Sequence, residues 1–332
     1  KEKELTLIDS ADRIVTVKKP LKRIVVTYTF ILERLRLIGV EETQIIGVEY
    51  QVILGDFPHY RIFFPEYQDK PGVTTEDPES IITLDPDVVI MSPSGKSDPA
   101  ANACEAAGIT VIRFYGGVWG KEIVKEVKKL GYIFDKQKAE EFLDFYEGLL
   151  NSIKEMVEKI PEEDKPKVYF EVSKPYTSYS QYAFIEKAGG TNILPDAYGS
   201  VDPEAVIDRD PDIIVVVPWG WKERISGYTM DAGDTAGLKK VRDEVMSRPE
   251  LQNVKAVKNG RVYVLSGHLI TFGPTGGSTD FLQIAYMAKW FHPELFEDLD
   301  PKAIHQEYLT RFQGLDFDLN KHGVFVYPPL ES

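Results

Sequence analysis

Short runs of β-branched and aliphatic residues alternate along this chain with stretches whose apolar positions fall three and four residues apart. The runs predict strands at Arg23–Tyr28, Ile45–Glu49, Val88–Ser92 and Thr110–Tyr115, and a second group at Lys167–Val172, Asp212–Val217 and Arg261–Ser266. Strands that alternate with helices argue for parallel sheets of the α/β class.

Between the two groups of strands lies the strongest helical pattern of the chain, from about Lys136 to Ile160. Phe142, Phe145, Tyr146, Leu149, Leu150, Ile153, Met156, Val157 and Ile160 recur at helical steps and make one apolar stripe. Asp135 stands where an N-cap belongs, and Pro161 closes the segment. At 1.5 Å per residue such a helix is a rod of about 38 Å, long enough to lie across two lobes. The connector is therefore itself structure. The expected organisation is an N-terminal α/β lobe over 1–134, a connecting helix over 135–160, and a C-terminal α/β lobe with its tail over 161–332.

One local pattern is written twice. "DPESIITLDPDVVI" at Asp77–Ile90 returns as "DPEAVIDRDPDIIV" at Asp202–Val215, with 7 of 14 positions identical. In each copy an Asp can cap a short helix, the Pro after it suits the first helical position, and the acid that follows sits where the helix dipole favours negative charge. The "DPD" turns at Asp85–Asp87 and Asp210–Asp212 then break the helix and lead into an apolar strand. Helix-end electrostatics would accept Asp or Ser at the places of Glu79 and Glu204, so the repeated glutamate is the part that local physics leaves over.

Composition narrows the class. The 332 residues exceed the size at which one core usually keeps growing, and 43% hydrophobic residues supply two. A formal net charge of −14 argues against nucleic acid and anionic membrane surfaces as partners. No run of about 18 apolar residues occurs, so no spanning segment is expected. The single cysteine, Cys104, excludes an internal disulfide and a Cys-based zinc site. The chain shows no signal peptide and starts at Lys1 rather than Met, as a processed product with its signal peptide removed, or a trimmed one, would.

In open parallel sheets, ligands meet the loops beyond the carboxyl ends of the strands. Those loops hold Tyr28, Tyr50, His59, Tyr60, Arg61 and Trp119 in the first half of the chain. In the second half they hold Tyr176, Tyr179, Tyr182, Trp219, Trp221, Arg224, Tyr228, His268 and Phe272. Three of the four tryptophans fall there, which favours a large organic ligand bound against ring faces. Arg61 and Arg224 are candidate anion partners, one from each half. Only His59 and His268 of the five histidines lie in these loops, too few for a site that chelates a bare divalent metal, although His268 or a tyrosine is a possible axial ligand for haem. "GPTGG" at Gly273–Gly277 lacks the lysine and the context of a phosphate loop.

The succession "RIVVTYT", "IIGVEYQ", "PGVTTEDPESIITLDPDVVI", the long helix, "AGGTNIL", "VDPEAVIDRDPDIIVV", "AVKNGRVYVLSG" and "MAKWFHPELF" resembles the substrate-binding proteins of ABC importers for ferric siderophores, haem and cobalamin. The resemblance runs from about Leu5 to Phe296. It implies two Rossmann-like α/β lobes with central parallel sheets joined by one long rigid helix, and a ligand held between the lobes with little closing motion. It further implies an extracytoplasmic location, periplasmic or anchored to the outer face of the cell membrane. In that family one exposed glutamate per lobe docks to arginines of the permease dimer, and the matching positions here are Glu79 and Glu204. The expected ligand is an iron(III)-siderophore, with cobalamin or haem as alternatives, bound by a monomer without a covalent cofactor, without a directly held metal and without catalysis. A two-lobed enzyme such as a glycosyltransferase is the competing class, but neither GxGxxG nor a convincing Ser/His/Asp arrangement appears. The tail from Glu297 reads as a helix over "DLDPKAIHQEYLTRF" followed by an extended arm.

Overall fold

A computed structural model describes residues 3–115, 123–218, 225–270 and 279–330. The chain divides into two compact units: among the described residues, one takes 3–145 and 309–315, and the other 146–270, 279–308 and 316–330. Each has its own five-stranded sheet.

The first unit opens with an antiparallel hairpin, β1 (Lys3–Ile8) and β2 (Ile14–Lys19). Its sheet is built from β3 (Ile24–Val26), β4 (Ile45–Glu49), β5 (Gly72–Val73), β6 (Val88–Met91) and β7 (Thr110–Arg113), in the order β5-β4-β3-β6-β7 and parallel throughout. All four residues of β6 are buried, as expected for a strand covered on both faces by crossover helices. Those helices are α1 (Thr29–Leu37), α2 (His59–Phe63), α3 (Pro78–Ile82), α4 (Asp98–Ala106) and α5 (Ile123–Ile133).

The long helix α6 runs over Lys136–Val157. Asp135 begins it as the sequence predicts, its Oδ1 accepting the N–H groups of Gln137 (3.0 Å) and Lys138 (3.2 Å). It ends three residues sooner than the pattern suggests, because Lys159 and Ile160 turn back to the carbonyls of Met156 and Val157. The predicted stripe is buried or half-buried along its whole length. Residues up to Phe145 belong to the first unit and those from Tyr146 to the second.

In the second unit the strands are β8 (Lys167–Val172), β9 (Thr177–Tyr179), β10 (Thr191–Asn192), β11 (Tyr198–Ser200), β12 (Ile213–Val217), β13 (Gly227–Asp231), β14 (Val262–Leu265), β15 (His322–Val324) and β16 (Val326–Tyr327). The main sheet has the order β10-β8-β12-β14-β16, with β16 antiparallel to β14. Around it stand α7 (Pro203–Arg209), α8 (Ala236–Ser247), α9 (Lys255–Lys258), α10 (Asp280–Phe291) and α11 (Pro301–Glu307). The tail thus has a definite place: Asp300 caps α11 through Ala303, a π-helical turn follows at Tyr308–Phe312, and the arm supplies the edge strand β16.

The duplicated segment folds twice into helix, turn and strand, α3 to β6 and α7 to β12. Asp85 and Asp210 both adopt left-handed backbone, φ 48° and 45°, a conformation that Asp tolerates better than most residues. The Asp two residues on then ties down the neighbouring strand. Asp87 Oδ2 accepts the N–H groups of Lys22 (2.8 Å) and Arg23 (2.9 Å), and Asp212 Oδ2 accepts that of Lys167 (2.9 Å). The caps differ between the copies: Asp202 accepts the N–H of Glu204 at 2.9 Å, whereas Asp77 makes no side-chain cap.

Candidate functional site

At the carboxyl ends of β3 and β4 the first unit places an acid against a helix start. α1 begins after Tyr28, which has no capping side chain, and Glu49, the last residue of β4, supplies the missing acceptor. Its Oε2 takes the N–H of Thr29 at 3.0 Å and also the Thr29 hydroxyl. Burial raises the Glu49 carboxyl above the usual carboxylate range, against the lowering effect of these bonds. Tyr28, packed against Phe30 at 5.1 Å, and Tyr60 stand beside this group, and both phenols are raised first by burial and further by the charge of Glu49.

The remaining predicted residues of this unit have diverse settings. Tyr50 is 38% exposed. His59 and Tyr60 open α2 and are buried, their rings edge to face at 4.5 Å, and burial lowers the imidazole to about 4. Arg61 is exposed, with its guanidinium over Gly55, where an added Cβ would come within 2.8 Å of Nη2. The structure therefore groups Tyr28, Thr29, Glu49 and Tyr60, while Arg61 stands on the surface.

In the second unit the carboxyl end of β8 carries a buried ion pair. Arg248 donates Nη1 to Glu171 Oε2 and Nη2 to Glu171 Oε1, each at 2.8 Å. Glu171 also accepts the Tyr169 hydroxyl (3.2 Å) and the Tyr176 N–H (2.8 Å), so the pair holds the loop that leaves β8. That loop turns through positive φ at Ser173 and Tyr176. Tyr176 consequently lies under the Arg248 guanidinium, 5.1 Å from the ring centroid, and donates its hydroxyl to Glu250 at 2.5 Å. Tyr179 meets Tyr182 at 6.1 Å and the 80% exposed Tyr198 at 5.3 Å, an aromatic group on the β9–β11 ribbon.

Tyr228 and His268 lie inside the unit, 2% and 3% exposed. The Tyr228 hydroxyl meets His305 Nε2 at 2.9 Å, and its ring contacts His268, Phe317 and Phe325. His268 Nδ1 is 3.2 Å from the Ser266 hydroxyl, and its ring covers Gly227, where φ is 95° and a Cβ would come within 2.4 Å of it. Trp119, Trp219, Trp221, Arg224 and Phe272 lie outside the described residues.

Glu79 and Glu204 are both exposed in the first turns of α3 and α7, each directly after the helix-opening proline. Among the described residues no three His, Cys, Asp or Glu side chains stand together to hold a metal ion, and no helix is long and apolar enough to cross a membrane. Sequence reasoning passed over Glu49, Glu171, Arg248 and His305. A lone acid in the apolar runs "IIGVE" and "KVYFEV" was a readable signal for the first two; Arg248 and His305 offered none.

A family model described as periplasmic binding protein matches residues 24–269, most of the chain, from β3 through β14. The chain belongs to the periplasmic binding protein family. Solved periplasmic binding proteins share its fold across nearly their whole length. The TroA-like protein FepB from Veillonella parvula is 24% identical with a TM-score of 0.75, over 97% of this chain and 99% of its own. MolA from Haemophilus influenzae, solved with molybdate, is 18% identical with a TM-score of 0.67, over 95% and 99%. CeuE from Helicobacter pylori, solved as a nickel–histidine complex, is 18% identical with a TM-score of 0.64, over 95% and 97%. At these identities the likeness concerns the fold. No curated protein matches the chain.

Proposed function

We propose that this periplasmic binding protein is extracytoplasmic, captures an iron(III)-siderophore as a monomer, and delivers it unchanged to the permease dimer of an ABC importer. The observation that carries this reading is the placing of tyrosine rings beyond the carboxyl ends of parallel strands, Tyr28 and Tyr50 after β3 and β4 and Tyr179 with Tyr182 after β8. Rings at that edge of a sheet offer flat apolar faces to a bulky chelate, and a phenol is also a hydrogen-bond donor to its oxygens. Arg61, exposed in the first unit, is the cation assigned to an anionic chelate there, and Arg224 is its counterpart in the second half of the chain. Trp119, Trp219, Trp221 and Phe272 are assigned to the same surface from their sequence position. Glu79 and Glu204 are the proposed permease contacts, since an exposed carboxylate in each unit suits a bidentate arginine partner.

Cobalamin and haem are the other ligands of this class. Haem ligation through His268 would require that buried ring to leave Ser266 and Gly227. Tryptophan-fluorescence quenching with catecholate, hydroxamate and carboxylate ferric siderophores, cobalamin, haem and free Fe³⁺ separates these readings. Saturable quenching by one siderophore class is expected. If no ligand of the set binds below about 10 μM, near −7 kcal/mol, the proposal fails.

A further inference from the structure

A cavity of about 430 Å³ opens in the second unit, within the size range of small-molecule pockets. Its walls come from the C-terminal half of α10, the start of α11 and the arm that carries β15 and β16. Among the described residues, none of those assigned to the siderophore lines it. Leu319, Val324, Phe325, Val326 and Leu330 make up the apolar part of the lining. Phe325 can lie there because Gly323 has φ 94° and no Cβ, which would come within 2.6 Å of the ring.

The same lining holds two cations, Lys289 and Lys302, and two acids, Glu297 and Asp300. Lys289 gives two of its three protons to the carbonyls of Glu297 (3.0 Å) and Leu299 (2.7 Å), neutral acceptors that fix the ammonium without cancelling its charge. Tyr286, on the same face of α10, brings a phenol that burial keeps protonated. His305 is fully buried and also lines the cavity. Its Nε2 is taken by Tyr228, while its buried Nδ1 has no hydrogen-bond partner among the described residues. Burial holds this imidazole neutral, near 3, so a Tyr228 hydroxyl that donates to Nε2 leaves the ring proton on Nδ1 as a further donor. Asp300 also lines the cavity; its Oδ1 is engaged by the Ala303 N–H at the start of α11, and its charge adds to the burial that keeps the Tyr286 phenol protonated. Buried polar atoms without partners are uncommon, and here one lies in the wall of a cavity whose other polar groups include a fixed cation.

From apolar side chains that share one cavity with an ammonium, a phenol and a buried imidazole, we infer that this cavity is a second ligand site, for a small carboxylic acid with an apolar body. The carboxylate belongs at Lys289, and the hydrocarbon belongs against Val324 and Phe325.

Titration of the full chain with octanoate, octanol and octylamine, followed by calorimetry and by the ring resonances of His305, tests the assignment. Octanoate is expected to bind saturably at one site, at least tenfold tighter than the alcohol or the amine, and to shift the His305 resonances. Leu330→Trp, which fills the cavity from the half-buried arm, is expected to abolish that binding, and Lys289→Met to weaken it tenfold or more. Ferric-siderophore binding should be unchanged in both variants. The site is overturned if octanoate does not saturate, if octylamine binds equally well, if the His305 resonances stay fixed, or if Leu330→Trp binds octanoate like the wild type. The His305 readout needs no substitution, so it decides the question even if Lys289→Met fails to fold.

Discussion

Arg248 and Glu171 meet through paired hydrogen bonds of 2.8 Å, with side chains 7% and 3% exposed. The pair lies between the end of β8 and the segment after α8, and it fixes the loop bearing Tyr176. Removing Arg248 leaves the Glu171 charge buried without its cation, which typically costs about 3–5 kcal/mol, whereas removing Glu171 leaves Arg248 its second carboxylate, the more exposed Glu244 at 2.8 Å. Arg248→Met should lower the thermal midpoint strongly, and Glu171→Gln, which leaves Arg248 paired with Glu244, should lower it less. The double variant should be far less damaged than the sum of the singles, and additive losses in a double-mutant cycle would contradict a coupled pair.

The two copies of the repeated segment make an internal comparison. Asp87 serves two backbone amides and Asp212 one. At about 1 kcal/mol per exposed charge-assisted bond, Asp87→Ala should cost roughly twice what Asp212→Ala costs. Urea midpoints of the two variants check the ratio, and equal losses would speak against it.

Acid should weaken the fold through its buried histidines. His59 and His305 are held near 4 and 3, whereas an unfolded chain protonates them near 6.5. The unfolded state therefore binds more protons as pH falls from 6.5 to about 4, and each ring withdraws on the order of 1 kcal/mol per pH unit across that window. Glu49 and Glu126, raised by burial, act in the opposite sense, because their protonation relieves a cost of folding. Thermal midpoints of the wild type and of His59→Phe between pH 7 and 4.5 separate the contributions. The variant should show the shallower slope, and parallel curves would exclude His59.

Charge reversal of Glu79 and Glu204 to Lys should leave siderophore affinity within twofold of the wild type and reduce uptake through the cognate permease to background. Uptake assays with the double variant test this. Normal transport would remove both acids from the docking role.

Much of the architecture was legible along the chain, and the reasons are local. Ile45–Glu49 and Lys167–Val172 match their predicted bounds because each is an apolar run cut off by turn residues, and Asp135 announces its helix by cap chemistry alone. β16 was read only as an extended arm, since its pairing with β14 depends on a partner some sixty residues earlier, as the register Val264↔Tyr327 shows. The site was less legible. Tyr228 and Tyr50 are the same residue type in similar loops, yet one is 2% exposed and the other 38%, and only tertiary packing by His305 and Phe325 decides which ring is buried.

The return of residues 309–315 to the first unit gives the chain an order of assembly. Phe312 packs on Phe142 at 5.4 Å and on Phe145 at 4.9 Å, and Gln313 donates to the Glu33 carbonyl and receives Arg36. A chain that stops at the end of the long helix lacks these side chains, so the opening half of the protein completes its core only once residues 309–315 are present. Cutting the gene after α6 would therefore yield a fragment that lacks a piece of its own interior.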